Sequence, residues 1–196
     1  IRVWSNHTKE LARKYGLPEQ NLDSFQQEIN EHTPRVDEDT MPGELANVVS
    51  GRVANLLDLQ GPNYATDAAC ASSMAAVMDA CRMLQSRQVD VMLAGATDRT
   101  LDPATFAKFS AIGALSATHS TPFDAKANGF VMGEGAGVVV LEEYEHAINR
   151  GAKIYAEITG SGATSDGYDM VAPSGEGARR CMKIATSSVN GTIDYI

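Results

Sequence analysis

Residues 61–76 read GPNYATDAACASSMAA, and an apolar stretch continues from them to Leu84. This pattern predicts a turn, a short strand, a corner of small residues and then a helix that begins at or beside Cys70. One stripe of the helix carries its larger apolar side chains, Met74, Val77, Met78, Cys81 and Leu84. The other faces carry the small side chains of alanines, so we expect the helix to be buried in the protein.

Cys70 is the candidate nucleophile of this stretch. The first turn of a helix offers unpaired backbone N–H groups and the positive end of the peptide dipole, which together favour a thiolate. We expect the N–H of Cys70, joined by those of Ala68 and Ala69, to hold the oxyanion that forms when a thiolate attacks a thioester carbonyl. The alternative is a small buried apolar side chain, which is the commonest fate of a free cysteine.

Further motifs follow in a fixed order along the chain. They are 91–96 (VMLAGA), 109–116 (FSAIGALS), 122–124 (PFD), 128–137 (NGFVMGEGAG) and 163–167 (ATSDG). Together with 66–73 (TDAACASS) they resemble the motifs of β-ketoacyl synthases, the condensing enzymes of fatty-acid and polyketide synthesis. The resemblance runs from about Asp37 to the C-terminus, and several ordered motifs are far more specific than one cysteine.

The resemblance implies an α/β protein with the thiolase-like layered α-β-α-β-α fold. The chain would cover mainly the N-terminal half of that fold and the start of its C-terminal half. Residues 37–196 would form a partial synthase domain, and residues 1–36 an N-terminal segment of uncertain placement.

The same resemblance implies a Claisen condensation in two stages. The Cys70 thiolate takes an acyl group from an acyl carrier protein, whose phosphopantetheine arm carries the substrate, and no cofactor is bound. Malonyl-carrier is then decarboxylated, and its carbanion attacks the acyl-cysteine. The expected partners are the acyl carrier protein and, at full length, a second copy of the chain.

Two segments carry candidate substrate-binding residues by this resemblance. Phe130, in the glycine-rich loop at 129–137, would wall the acyl channel, and Glu134 would anchor the loop. A phosphate-binding role for the loop is disfavoured because a strand, and not a helix, follows it. The border of the phosphopantetheine entrance would be formed by Met170, Val171, Pro173 and Ser174, although an ordinary connecting loop remains the alternative there.

The family's second stage needs two histidines and a lysine. None of the four histidines of this chain, His7, His32, His119 and His146, matches the motifs that hold them. By the resemblance those motifs would follow residues 193–196, so we expect the chain to be a fragment of a longer synthase, with a complete but inactive product as the alternative.

Composition is typical of a globular protein and excludes several other classes. The chain has 196 residues, of which 43% are hydrophobic, and it has no signal-peptide layout and no apolar run that would cross a membrane. We therefore expect a cytoplasmic protein. Its three cysteines have neither metal-ligand nor disulfide spacing, so no metal is expected.

The net charge of −9 disfavours nucleic-acid binding and would also repel an acidic carrier protein. Docking of a carrier would then need a local basic patch. Arg179, Arg180 and Lys183 lie on one predicted helix and are the candidates, while a solvated helix face is the alternative.

Two rival functions and the pathway stay open. A thiolase also uses a cysteine at a helix start but condenses two coenzyme A thioesters without decarboxylation; the glycine-rich loop disfavours it. A non-catalytic acyl-binding or chain-length partner subunit would normally lack the cysteine. The region around Cys70 resembles polyunsaturated fatty-acid or polyketide megasynthases, whereas residues 154–177 resemble a discrete bacterial elongation synthase.

Hydrophobic periodicity predicts the remaining elements. We predict a strand at 89–96 that is buried on both faces of a parallel sheet, joined to the strand before Cys70 by a right-handed crossover. Residues 32–42 are expected to form a loop. The other predicted helices are 8–15, 22–29, 45–57, 103–109, 143–150 and 176–188, and the other predicted strands are 135–142, 153–160 and 193–196.

Overall fold

The structure, a computed structural model, describes residues 2–16, 18–32, 36–169 and 172–195. The chain divides into two compact units, Ile1–Tyr64 and Ala65–Ile196. None of the helices in the described ranges has the length and apolar character that crossing a membrane would require.

The first unit contains four helices, α1 (Arg2–Lys14), α2 (Glu19–His32), α3 (Thr40–Glu44) and α4 (Asn47–Leu56). Helices α1 and α2 pack against each other, with Ala12 and Leu22 buried and an ion pair of 2.7 Å between Lys9 and Asp23. The helices predicted at 8–15, 22–29 and 45–57 are confirmed. The loop predicted at 32–42 is wrong at its end, where α3 begins.

The second unit opens with a single 3-10 turn at Ala69–Ala71 that leads into helix α5. Its elements are α5 (Ser72–Gln85), β1 (Val91–Asp98), α6 (Pro103–Ala111), β2 (Gly135–Glu142), α7 (Tyr144–Asn149) and α8 (Gly175–Ala185). The predicted helix after Cys70 is confirmed, as are the strands at 89–96 and 135–142 and the helices at 103–109, 143–150 and 176–188, with bounds shifted by a few residues.

Strands β1 and β2 form a two-stranded antiparallel sheet, in register from Val91↔Glu142 to Asp98↔Gly135. Helix α5 packs on β1, and Ala94 of the strand is buried together with Ala80 and Leu84 of the helix. Val139 is the partner of Ala94 and lies on the face that α5 covers. Side chains alternate between the two faces of a strand, so those of Val138 and Val140 point to the opposite face. That face is open in the described structure, since Val138 and Val140 are 65% and 66% exposed.

The sheet corrects three sequence predictions. The pairing of β1 is antiparallel, and its second face is not covered by any described residue, so the doubly buried parallel strand is wrong for this structure. The stretch before Cys70 and residues 153–160 and 193–195 form no strand in the described chain. A strand requires a partner for its N–H and C=O groups, and these segments find none among the described residues. Helix α5 is accordingly less buried than expected, with Met74 61% exposed.

Side chains cap the N-termini of the helices that follow α5. Asp102, Glu143 and Ser174 each accept a hydrogen bond from a first-turn N–H and so begin α6, α7 and α8. At the end of β2, the Glu142 carboxylate accepts hydrogen bonds from Nε and Nη2 of Arg150, both at 2.6 Å, and lies 2.5 Å from His146 Nδ1. This cluster ties α7 to the end of the sheet.

Candidate active site

Cys70 lies in the middle of the 3-10 turn and is exposed. The turn is closed by a hydrogen bond of 3.0 Å from the Ala71 N–H to the Ala68 carbonyl, and α5 begins at the next residue. The structure therefore places Cys70 where the sequence predicts it, at the entrance to the helix, and its side chain is not walled off from solvent.

The corner before Cys70 has a left-handed backbone. Ala69 has a φ of +48°, which costs a residue with a Cβ about 1 kcal/mol. The corner is held by two side chains: the Ala69 N–H donates to Asp67 Oδ1 at 3.0 Å, and Ser72 Oγ donates to the Ala69 carbonyl at 2.7 Å. Ser72 Oγ also accepts from the Ala68 N–H at 2.9 Å.

These bonds change the expected oxyanion site. The N–H groups of Ala68 and Ala69 are already donated to Ser72 and Asp67, so the expectation that they join the site is wrong for this geometry. The structure shows no hydrogen bond from the N–H of Cys70 to any residue it describes. The Cys70 amide is thus the corner donor that remains available for a ligand.

Cys70 faces an open cleft of about 390 Å³ between the 3-10 turn and the sheet. Most of the lining side chains are small, so a ligand can approach the backbone closely. The lining consists of Ala69, Cys70, Ser72, Ser73, Ala96, Thr97, Asp98, Gly135, Ala136 and Gly137. The cleft brings together the nucleophile candidate and the end of the glycine-rich loop, which are 65 residues apart in the sequence.

Thr97 and Asp98 are cleft residues that the sequence reasoning missed. Asp98 Oδ1 accepts a hydrogen bond of 2.6 Å from Thr100 Oγ1, which holds the carboxylate in place. Both residues enter the cleft because the antiparallel register sets Asp98 opposite Gly135. The signal that would have found them is antiparallel pairing of the predicted strand at 135–142 with residues 91–98.

Phe130 is held away from the cleft lining. Its N–H donates to the Ala114 carbonyl at 3.0 Å, its carbonyl accepts from the Ser116 N–H at 2.9 Å, and its ring meets Phe109 edge to face at 5.5 Å. A Cβ at Gly129 would lie 2.6 Å from the Ala114 oxygen, so this approach requires glycine. Phe130 is 39% exposed and does not line the cleft described above, so its contact with a substrate stays a prediction.

Glu134 anchors the glycine-rich loop, as expected. Its Oε1 accepts a hydrogen bond of 3.2 Å from the N–H of Leu101, in the segment between β1 and α6. The bond fixes the loop just before Gly135, where the cleft lining begins.

The proposed phosphopantetheine border is described only in part. Met170 and Val171 lie outside the described residues, and Pro173 is exposed. Ser174 Oγ caps α8 and donates to Asp166 Oδ1 at 2.6 Å, so its hydroxyl has two internal partners. The bonds from Ser174 lower the pKa of the Asp166 carboxyl below its usual value. Neither Pro173 nor Ser174 lines the cleft at Cys70.

Two arginines of the predicted basic patch on α8 have partners within the chain but stay exposed, with side chains 67% exposed for Arg179 and 42% for Arg180. Arg179 forms two hydrogen bonds with the Glu176 carboxylate, at 2.9 and 3.0 Å. Arg180 Nη2 donates to the carbonyls of Ser165 and Asp166, both at 3.1 Å. Ion pairs between exposed side chains are weak, so docking of a carrier on this patch stays a prediction.

The other two cysteines, Cys81 and Cys181, are half-buried. Burial raises the pKa of the Cys81 thiol, and Cys181 Sγ donates to the Gly162 carbonyl at 3.1 Å. In the described ranges, no three His, Cys, Asp or Glu side chains come together as metal ligands would.

Comparisons with known proteins support the resemblance drawn from the motifs. The model of the family described as "Beta-ketoacyl synthase, N-terminal domain" matches residues 10–147. The chain is 46% identical over 168 residues to 3-oxoacyl-[acyl-carrier-protein] synthase 2 of Rhizobium meliloti, covering 80% of this chain and 40% of that protein. It is 49% identical over 160 residues to 3-oxoacyl-[acyl-carrier-protein] synthase 1 of Haemophilus influenzae, covering 78% and 39%.

A solved structure also supports similarity to ketosynthases. A ketosynthase in complex with its type II PKS acyl-carrier protein and bound to the hexaketide is 30% identical, with a TM-score of 0.74, over 78% of this chain and 40% of that chain. The likeness confirms the expected α/β, thiolase-like fold class. The chain spans about 40% of the length of the curated relatives described above.

Proposed function

The chain belongs to the β-ketoacyl synthase family, and we propose that it carries the acyl-accepting nucleophile of a decarboxylative condensing enzyme. The observation that carries the proposal is the position of Cys70, which is exposed in a 3-10 turn over a cleft lined by small residues. Beside it, the Cys70 N–H has no acceptor among the described residues. A nucleophile and an oxyanion donor thus come from one residue.

The proposed step is the transfer of an acyl group between two thiols. The Cys70 thiol loses its proton to solvent, and its thiolate attacks the carbonyl carbon of an acyl thioester. The Cys70 N–H donates to the oxyanion of the tetrahedral intermediate. The intermediate collapses with cleavage of the original C–S bond, and the departing carrier thiolate takes up a proton, which leaves an acyl-cysteine.

The second stage is a proposal for the whole protein. Malonyl-carrier loses carbon dioxide, and the resulting carbanion attacks the acyl-cysteine carbonyl, which releases Cys70 and leaves a 3-oxoacyl chain on the carrier. Residues of this chain are assigned to the first stage alone, because its histidines do not match the family's catalytic motifs.

An acyl carrier protein is the proposed partner. The names of the curated relatives refer to such a carrier, and the solved ketosynthase is in complex with one. Substrates would arrive on its phosphopantetheine arm, past Phe130 and the segment that includes Pro173 and Ser174. A synthase domain at 37–196, a homodimer at full length and a cytoplasmic location complete the proposal, and they are based on the family resemblance.

Intact-mass spectrometry tests the proposal directly. The chain is incubated with a hexanoyl-carrier protein, and the expected result is one hexanoyl adduct that is absent from Cys70→Ala. Cys181→Ala is the matched control, since it also removes a thiol and should keep the adduct. No adduct on the unaltered chain would favour an acyl-binding subunit, while acetoacetyl-CoA formed from acetyl-CoA alone would favour a thiolase.

A further inference from the structure

The hydroxyl of Ser72 is hydrogen-bonded within the backbone corner that precedes Cys70. It makes two hydrogen bonds of opposite sense, donating to the Ala69 carbonyl at 2.7 Å and accepting from the Ala68 N–H at 2.9 Å. The Ser72 carbonyl also accepts from Thr66 Oγ1 at 3.2 Å, which ties the helix start to the segment before the corner. Ser72 is therefore bonded to the chain on both sides of the left-handed residue.

Ala69 needs such support. Its φ of +48° is a conformation that alanine leaves readily when nothing holds it. The peptide that joins Ala69 to Cys70 carries both the carbonyl that Ser72 binds and the N–H of Cys70, because these two groups belong to one planar unit. The Ser72 N–H donates to the same carbonyl oxygen, so the hydroxyl adds a second bond there, and the two bonds together fix the direction of the Cys70 N–H.

The oxyanion donor is sensitive to this direction. Ala68 and Ala69 donate to Ser72 and Asp67, so the Cys70 N–H is the corner amide that a ligand oxygen can reach. Such donors act only when they point at the place where the charge develops. A rotation of the peptide would remove the donor and leave the thiol exposed.

We propose that Ser72 is a positioning residue, whose hydroxyl locks the Ala69–Cys70 peptide so that the Cys70 N–H points at the oxyanion formed during acylation. In this role the Ser72 hydroxyl acts through the peptide and takes no part in the bonds that form and break. The inference rests on the proposed function, since it assigns a role within the acylation of Cys70.

Two reactions of the same thiol separate this role from a general effect on folding. Transfer from an acyl thioester passes through an oxyanion, whereas alkylation by iodoacetamide is a displacement at a saturated carbon and forms none. Loss of the Ser72 hydroxyl should therefore slow acylation by about 10- to 100-fold, the cost of a misplaced catalytic group, and leave alkylation within about 3-fold.

The experiment compares Ser72→Ala, Ser72→Thr and Ser86→Ala by mass spectrometry of the Cys70 adducts. Ser86 Oγ donates to the Met83 carbonyl at 3.1 Å, three residues back like the bond from Ser72 to Ala69, but at the other end of α5. We expect Ser72→Ala to lose acylation selectively, Ser72→Thr to restore it through its hydroxyl, and Ser86→Ala to keep both reactions even where its melting temperature falls.

Each other outcome overturns the inference in a recognisable way. Equal acylation by Ser72→Ala and the unaltered chain would remove the role of Ser72 and leave the proposed function intact. An equal fall in acylation and alkylation would make Ser72 a structural residue. Absence of acylation in the unaltered chain, with normal alkylation of Cys70, would overturn the proposed function and the inference together.

Discussion

At Ala69, the geometry of the site depends on a single backbone angle. A φ of +48° crowds the Cβ of an alanine against the preceding peptide group, and the chain accepts this conformation between Ala68 and Cys70. The compensation comes from Asp67 and Ser72, whose side chains bind the corner amides. Backbone strain held by side-chain bonds, as it is here beside the proposed nucleophile, is typical of functional sites.

Glycine substitutions at Ala69 and Ala71 should change the free energy of unfolding in opposite directions. Ala69→Gly relieves the left-handed strain, and after the added freedom of the unfolded chain it should raise the free energy of unfolding by up to about 1 kcal/mol. Ala71→Gly should lower it by about 0.5 to 1 kcal/mol, because Ala71 has an ordinary φ of −91°. Urea denaturation measures both; destabilisation by Ala69→Gly equal to that by Ala71→Gly would contradict the left-handed geometry.

At the scale of single residues, the sequence predicted those features that depend only on neighbouring positions in the chain. Cys70 could be placed at a helix start because apolar spacing and small residues act over a few positions. The hydrogen bonds of Ala68 and Ala69 could not be predicted, because they depend on the side-chain orientations of Ser72 and Asp67 in the folded corner. The Cys70 N–H is therefore the part of the expected oxyanion site for which the structure leaves a free donor.

At the scale of elements, the pairing of β1 with β2 forms the wall of the cleft. Apolar character predicted both strands, but an apolar run does not distinguish a parallel from an antiparallel partner. Asp98 and Thr97 were missed for this reason, since only the register with β2 brings them to the cleft. The strands predicted at 153–160 and 193–196 show the same limit, because pairing depends on distant residues.

Close packing of the two strands gives the next prediction. A Cβ at Gly95 would collide with the Gly137 carbonyl and lie 2.7 Å from Val138 Cα, and backbone atoms cannot move aside cheaply. Gly95→Ala should therefore lower the free energy of unfolding by about 1 to 3 kcal/mol. Gly133→Ala is the matched control, since no atom lies within 4 Å of a Cβ there. Equal melting temperatures of the two variants would contradict the strand register.

The charge cluster at the end of β2 makes the attachment of α7 depend on pH. Hydrogen bonds from Arg150, helped by His146, lower the pKa of the Glu142 carboxyl from 4.5 to about 2. A carboxyl whose pKa is lower in the folded state stabilises the fold above its unfolded value, and the contribution is lost as the pH falls. The stabilisation should thus be complete above pH 4.5 and disappear between pH 4.5 and about 2.

Glu142→Gln tests this dependence, because the amide cannot ionise. The difference in urea midpoint between the unaltered chain and Glu142→Gln should be constant above pH 4.5 and narrow as the pH falls toward 2. Glu157→Gln, at an exposed position, is the control and should show no such narrowing. A difference that stayed constant down to pH 2 would mean that the Arg150 pair contributes nothing to stability.

On the scale of the whole molecule, the second unit exposes much of its apolar sheet. Its buried core is made of small and medium side chains such as Ala80, Leu84 and Ala94, while Val138 and Val140 are mostly exposed. Exposed apolar faces of this kind mark surfaces that other protein segments cover. The family and the fold class could be predicted from the sequence because ordered motifs identify them, whereas the cover of the open face could not, since no described residue forms it.

The central claim is that Cys70 accepts the acyl group, and mapping the adduct tests it most directly. Trypsin leaves Cys70 and Cys81 together on the peptide 53–82, so fragment ions between the two residues must locate the added mass. After incubation with hexanoyl-carrier protein, the hexanoyl group should lie on fragments that contain Cys70 and be absent from those that contain Cys81 alone. A hexanoyl group on Cys81 or Cys181, or on no cysteine at all, would contradict the account.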